Sequence, residues 1–327
     1  MFRLPIFSWI GETAVAFSNG VTKASGPSPH PDYAAFAFAL DVPSVVARST
    51  NELWHWSATS VNGHELPSSV YIATNGPSVA YSILGAPVAP WTDAGLANTN
   101  VWVSSLEFVT KTNACSGASS KEMALSELTQ YLFGKLGLHY DLSSGGPSFT
   151  DFTVADWYVV GGSRPIFSAT RYMNNVSSGS AGITAPASSV NCYDQAAALT
   201  TFGTMMGIDV RYRFLLPFGY INLTNLVGWG LCNNPIPGSC RNPNLIVGAD
   251  DIFPNRSLFG NHAFCSYSGM AFDACAGPAL GSLSVADYLE AAIDHSSSTT
   301  GSMYSETNSS ICGVGKTPNL GFIKKLE

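Results

Sequence analysis

The chain has 327 residues, a formal net charge of −7 and only 11% charged residues, against roughly a quarter in average soluble proteins. Its 15 Lys and Arg residues form no cluster that would neutralise a row of phosphates, which argues against a nucleic-acid partner. The most apolar stretch, residues 33–47, is interrupted by Asp41 and Pro43 and is shorter than the roughly 20 apolar residues of a membrane helix. The composition is typical of a secreted or extracytoplasmic, β-rich protein that is long enough for two domains.

The first 115 residues predict an N-terminal all-β domain. Short runs here are rich in β-branched and aromatic residues and are bounded by Gly, Pro and Asn. Pro-rich connections between them argue against long helices. The predicted strands are residues 33–40, 69–74, 79–84 and 101–110.

Residues 116–327 predict a second domain that mixes helices and strands. Its first helix spans residues 120–137, where Leu125, Leu128 and Leu132 recur on one face and Gly137 is a stop signal. A strand is predicted over residues 208–217, a Gly/Pro/Asn-rich excursion over 217–254, and a helix over 285–293.

A second helix of this domain is predicted to start at Cys192. Asn191 is its cap, Asp194 occupies the reciprocal capping position, and Gly207 ends it. A thiol at a helix N-terminus meets unpaired backbone N–H groups and the positive end of the helix dipole, which favour the thiolate. Cys192 is therefore a candidate nucleophile, whereas Asp194 is predicted to be a cap rather than a catalyst.

A hairpin further along the chain carries a candidate base and its partner. Strands of residues 262–267 and 270–275 flank the turn Ser268-Gly269. A two-residue turn places Phe264 opposite Asp273 and makes His262 a diagonal neighbour of Asp273 on the same face. A slip of one residue would separate them.

The other cysteines are assigned structural roles. Seven cysteines are present, so a reactive Cys192 leaves six, enough for three disulfides. Cys232 and Cys240 are the simplest pair, because the segment between them is rich in turn-forming residues. Cys275 lacks a helix N-terminus and is predicted to be a disulfide or a buried thiol.

Three motifs together resemble the transglutaminase-like superfamily. The Cys192-led helix runs into Gly207-Ile-Asp-Val-Arg211, where the family has Gly-Ile-Pro and a strand that bears an Arg. His262-Ala-Phe and Phe272-Asp-Ala resemble the family's His-Ala-Trp and its Phe-Asp-Pro or Asp-Ala-Thr. The chain departs from the pattern in Asp209, in a short His-to-Asp interval and in a long excursion before the histidine. The resemblance covers about residues 120–280 and implies an α+β fold with a papain-like catalytic core.

The resemblance also implies thioester chemistry on a Cys-His-Asp triad. Cys192 would attack a carboxamide carbonyl of a protein or peptide substrate, or of a small-molecule amide, while His262 moves the proton and Asp273 holds the imidazole tautomer. Water or an acceptor amine would resolve the thioester. The backbone N–H of Cys192 is one donor to the oxyanion. The resemblance implies Trp157 as the second donor, and Gln195 is the rival.

Two other interpretations stay open. The same triad suits a cysteine peptidase or a small-molecule acyl cyclase. Alternatively the triad is vestigial and the chain is a non-catalytic cell-surface or glycan-binding protein, with Trp54 and Trp56 stacking on a sugar. No cofactor is predicted. Calcium is an alternative at the Asp250-Asp251 pair, although adjacent carboxylates are usually a solvated turn.

Overall fold

The computed structural model describes residues 44–61, 64–92, 101–111, 113–151, 166–177, 189–215, 218, 220–233, 235 and 261–294. It contains both helices and sheets, which is compatible with the predicted α+β class. The predicted strand at 33–40, Trp157, Cys240 and the Asp250-Asp251 pair lie outside the described residues. The elements in chain order are β1 (Ala47–Val61), β2 (His64–Ser82), α1 (Val103–Val109), α2 (Lys121–Gly134), β3 (His139–Tyr140), β4 (Thr150–Asp151), β5 (Ile166–Phe167), α3 (Ala169–Ser177), β6 (Ser189–Val190), α4 (Cys192–Met205), β7 (Arg211–Leu215), β8 (Thr224–Leu226), β9 (Gly230–Cys232), β10 (His262–Tyr267), β11 (Met270–Asp273), β12 (Ala276–Gly277), β13 (Ala279–Ser284) and α5 (Val285–Ala292).

The described residues divide into two compact units. The first contains Ser44 and residues 48–82, where β1 and β2 form a two-stranded sheet. The second contains residues 45–47 and every described residue from Ile83 onward. The predicted strand at 69–74 falls within β2. The division into domains of residues 1–115 and 116–327 stays a prediction.

Helix α4 lies at the centre of the second unit. All of its residues are buried, and it packs on α2 and on strands β7 and β10. The predicted capping box is present: the side chain of Asn191 accepts hydrogen bonds from the N–H groups of Tyr193 and Asp194, and the carboxylate of Asp194 accepts one from the N–H of Asn191. A helix enclosed on every side has no water for its polar side chains, so they need partners within the protein.

A four-stranded antiparallel sheet in the order β13-β11-β10-β7 packs beside this helix. Tyr267 pairs with Met270 across the hairpin, and Cys265 pairs with Phe272. Continuing this register places Phe264 opposite Asp273, as predicted. The turn residues Ser268 and Gly269 have φ values of 50° and 81°, which the two-residue turn of a tight hairpin requires.

The segment 101–110 corrects the sequence analysis, because it forms helix α1 and not the predicted strand. Its buried residues, Ser105, Phe108 and Val109, recur at helical spacing. The ring of Phe108 stacks on Phe202 of α4 with 4.5 Å between centroids. The prediction was wrong because it followed the strand preference of β-branched and aromatic residues, which tertiary packing overrides here.

A close backbone contact fixes the turn after α4. Gly207 has a φ of +80°, and a Cβ at this position would lie 2.6 Å from the carbonyl carbon of Gly85. We expect Gly207→Ala to lower the free energy of unfolding by about 3 kcal/mol, because the left-handed conformation costs about 1–2 kcal/mol and the clash separates two backbones. Gly230→Ala is the matched control, since Gly230 has a φ of +81° and open space around it. Urea unfolding checks the difference, and equal losses in the two variants would contradict the contact.

Candidate active site

The imidazole of His262 contacts the carboxylate of Asp273. His262 Nε2 lies 2.8 Å from Asp273 Oδ2, and the two side chains are 0% and 1% exposed. His262 begins β10 and Asp273 ends β11. The contact is therefore the diagonal one that the hairpin register predicts.

The carboxylate of Asp273 is held on both oxygens. Oδ1 accepts hydrogen bonds from the backbone N–H groups of Cys275 at 2.7 Å and Ala276 at 3.1 Å. Oδ2 accepts one from the Tyr288 hydroxyl at 2.6 Å, in addition to its contact with His262. Rotation of this carboxylate would break several bonds in a buried site, so its orientation is fixed.

Tyr288 is a member of the site that the sequence analysis missed. It lies on helix α5, and its hydroxyl oxygen is also 3.2 Å from His262 Nε2. Its ring packs on Phe264 with 4.9 Å between centroids. The sequence signal that could have identified Tyr288 is its position on α5. Together with Leu289 it forms the buried face of this helix, so its hydroxyl needs a hydrogen-bond partner inside the protein.

Cys192 is the first residue of α4 and is 3% exposed. Burial lowers the pKa of His262, but the charge and hydrogen bond of Asp273, joined by a hydrogen bond and charge from Cys192, raise that pKa to about 10. The raised pKa favours the protonated imidazole, and Cys192 is among the groups that interact with the ring. Asp273 and Tyr288 occupy Nε2, so Nδ1 is the ring nitrogen that is left to take a proton from Cys192.

The cap of α4 leaves one backbone donor beside the sulfur. The side chain of Asn191 accepts hydrogen bonds from the N–H groups of Tyr193 at 3.0 Å and Asp194 at 3.2 Å. The backbone carbonyl of Asn191 accepts one from the N–H of Gln195 at 3.2 Å. Among the hydrogen bonds of the described residues, the N–H of Cys192 has no acceptor. A backbone N–H at the start of a helix is a suitable oxyanion donor.

Gln195, the predicted rival donor, bridges three parts of the second unit. Its Nε2 donates to the carbonyls of Leu132 at 3.1 Å and Ala274 at 2.9 Å, while its Oε1 accepts the Tyr172 hydroxyl at 2.8 Å. Both amide hydrogens are engaged, so donation to a substrate oxygen would require one bond to break. This arrangement favours support of the segment after Asp273.

Three of the four other described thiols differ from Cys192 in their surroundings. Cys115, Cys265 and Cys275 are buried, and burial raises the pKa of each, that of Cys265 to about 12. The negative charge of Asp273 also raises the pKa of Cys275. These environments favour the protonated, unreactive thiol.

The triad is enclosed by protein. The side chain next to the nucleophile, Tyr193, donates its hydroxyl to Asn261, which precedes His262. A half-open cavity of about 250 Å³ at the end of α2 is lined by Phe133, Gly137, Leu138 and Leu226 among others, and no triad residue lines it.

The protein was compared with three known classes: metal-binding clusters, membrane-spanning helices and proteins of known family or structure. Within the described ranges, no group of three or more His, Cys, Asp or Glu side chains is arranged to hold a metal ion. None of the described helices is long and apolar enough to span a bilayer. Searches against protein-family models, curated proteins and solved structures found no match to this chain.

Proposed function

We propose that the chain is a cysteine-dependent acyltransferase or amidase that acts on carboxamide groups of protein or peptide substrates. The observation that carries the proposal is the buried contact of 2.8 Å between His262 and Asp273, together with the influence of Cys192, at the start of α4, on the pKa of His262. The sequence motifs support a transglutaminase-like, papain-like core as the host of this triad, and the composition supports secretion.

The contacts suit a thioester mechanism. In the first step the proton of Cys192 passes to His262, which leaves a thiolate beside the imidazolium. The thiolate attacks the carbonyl carbon, and the N–H of Cys192 stabilises the negative oxygen of the tetrahedral intermediate. His262 then gives its proton to the nitrogen that leaves as ammonia or an amine. Water or an acceptor amine attacks the thioester, His262 takes the proton of this nucleophile, and the thiolate is regenerated.

Enclosure of the triad favours transfer over hydrolysis. Cys192 is 3% exposed and His262 is fully buried. Where the site closes again around the thioester, few waters reach it, so an acceptor amine already bound beside it competes with water.

The first test is the reactivity of the thiols. At pH 6 we expect iodoacetamide to label Cys192 at least about tenfold faster than Cys115, Cys265 or Cys275, because His262 can accept the proton of Cys192, whereas burial raises the pKa of the other three thiols. Time-resolved labelling with peptide mapping measures each rate. His262→Gln is the control, and in this variant the rate at Cys192 should fall to that of the other buried thiols. Uniform labelling of the wild type would contradict the triad.

The reaction itself is tested with a fluorogenic glutamine-donor peptide and a primary amine, with and without calcium. The proposal expects ammonia release and amine incorporation by the wild type and neither by Cys192→Ala. Cleavage of the peptide backbone without ammonia release would favour the peptidase. Absence of turnover, together with glycan binding that Cys192→Ala retains, would favour the non-catalytic interpretation.

A further inference from the structure

We infer that Tyr288 is a positioning residue of the triad. Its hydroxyl fixes the carboxylate of Asp273 and weakens the electrostatic attraction of that carboxylate for the imidazole of His262. The inference deepens the proposed function and rests on it. Its basis is that one hydroxyl lies within hydrogen-bond distance of both partners, 2.6 Å from Asp273 Oδ2 and 3.2 Å from His262 Nε2.

The direction of the two contacts follows from chemistry. Burial, with the charge of Asp273, raises the pKa of Tyr288 well above its ordinary value, so the phenol keeps its hydrogen throughout the working pH range. A single hydrogen goes to the nearer and negatively charged acceptor, Oδ2. The hydroxyl oxygen then presents a lone pair to Nε2–H, so this N–H is shared between Asp273 and Tyr288.

The donation to Oδ2 is the stronger of the two effects. A bond of 2.6 Å to a carboxylate is short and charge-assisted, whereas 3.2 Å to a ring nitrogen is at the long end of the range. The hydroxyl therefore draws away part of the negative charge that Asp273 would otherwise direct at the imidazolium. Loss of the hydroxyl should make His262 hold its proton to higher pH, while the carboxylate loses one of its restraints.

The other titratable groups around this pair are few within the described residues. Cys265 of β10 interacts with the charge of Asp273, Cys192 of α4 acts on His262, and both Cys192 and Cys275 act on Tyr288. Tyr140 of β3 faces the same two thiols. None of these groups donates to Oδ2 of Asp273, so the effect on the carboxylate is specific to Tyr288.

A purely structural tyrosine is the competing explanation, since a buried hydroxyl normally has a partner. Tyr288→Phe keeps the ring and its packing on Phe264 and removes only the hydroxyl. A structural role predicts a small loss of stability with an unchanged pH profile. A positioning role predicts that the profile moves.

The experiment is the rate of iodoacetamide alkylation of Cys192 in the intact protein between pH 5 and 11, followed by peptide mapping. In the wild type the rate should hold a plateau at neutral pH and step upward near pH 10, because the thiolate becomes more nucleophilic when His262 loses its proton. In Tyr288→Phe the step should move to higher pH by about 0.3–1 unit. Asp273→Asn should move it the opposite way.

Each outcome is informative. A wild type without the neutral plateau would contradict the proposed function itself, whereas a plateau with superimposable profiles for wild type and Tyr288→Phe would overturn the inference alone. Tyr131→Phe, a buried tyrosine of α2 outside the triad, is the control and should leave the step in place. An equal shift in this control would also overturn the inference. If Tyr288→Phe fails to fold, 3-fluorotyrosine at position 288, a stronger donor of the same shape, should move the step to lower pH, and an unmoved step would count against the inference.

Discussion

Replacing Asp273 by asparagine is expected to lower kcat/KM by a factor of about 10³–10⁴ while the protein stays folded. The amide oxygen can still accept the N–H groups of Cys275 and Ala276, but the amide NH₂ then meets His262 Nε2. Nε2 must become the acceptor in this pair, so the ring hydrogen moves to Nδ1. In a neutral ring with the hydrogen on Nδ1, this nitrogen can no longer accept the proton of the Cys192 thiol.

Steady-state kinetics with the glutamine donor measure this loss. Asp209→Asn is the matched control, because Asp209 is exposed and pairs with Arg211 on the surface. We expect this control to stay within about twofold of the wild type. A variant at position 273 that retains more than a tenth of the activity would rule out an orienting carboxylate.

The same substitution should remove a pH dependence of stability. Despite burial, which lowers it, the pKa of folded His262 is raised to about 10 by Asp273 and Cys192, whereas the unfolded value is about 6.5. The stability contributed by this proton is complete below about pH 6.5 and is lost as the pH rises through about 10. Urea unfolding midpoints should therefore fall less steeply over this window in Asp273→Asn than in the wild type. Parallel declines would show that Asp273 does not hold the proton.

Asp194→Ala should be the most destabilising substitution, with a loss of about 3–5 kcal/mol in the free energy of unfolding. The buried carboxylate accepts hydrogen bonds from the backbone N–H groups of Ser148 at 2.7 Å, Phe149 at 3.0 Å and Asn191 at 3.3 Å, and from the Thr150 hydroxyl at 2.8 Å. Alanine leaves these donors inside the protein without an acceptor. The segment before β4 would lose its anchor on the helix that carries Cys192.

Helix α5 offers a control at the equivalent helix position. Asp287 is the third residue of α5, as Asp194 is of α4, and it bonds to the cap Ser284, but it is exposed. Asp287→Ala should therefore cost about 1 kcal/mol or less. Chemical unfolding of both variants measures the loss in the free energy of unfolding and separates the effect of helix capping from that of the buried hydrogen bonds of Asp194. Equal losses in the two variants would contradict a stabilising role for those buried bonds.

Local signals in the sequence predicted much of the second unit. Asn191 and Asp194 specify the start of α4 because both halves of a capping box are present, and Ser284 specifies the start of α5 because its side chain accepts the N–H of Asp287. Ser268-Gly269 specifies the hairpin register because only a few residues tolerate positive φ. From that register the contact between His262 and Asp273 follows without any tertiary information.

Contacts between distant segments could not be predicted in this way. Segment 101–110 becomes helical because Phe108 packs on α4, and nothing in its own propensities indicates that partner. Tyr288 joins Asp273 only because α5 folds back over the hairpin. Gln195 was predicted as the rival oxyanion donor from its place one turn after the cysteine. Its side-chain hydrogen bonds, however, go to the distant residues Leu132, Ala274 and Tyr172.

The enclosure of the nucleophile has a kinetic consequence. With 3% of Cys192 exposed, the proposed reaction would begin with a breathing motion that admits the acyl donor, and the frequency of that motion would set a ceiling on kcat. For donors with good leaving groups, solvent viscosity rather than bond strength would then govern the rate. Under the proposed function, slender, extended glutamine side chains would pass this barrier more readily than branched ones, which would make steric gating a source of selectivity that acts before any recognition by the triad.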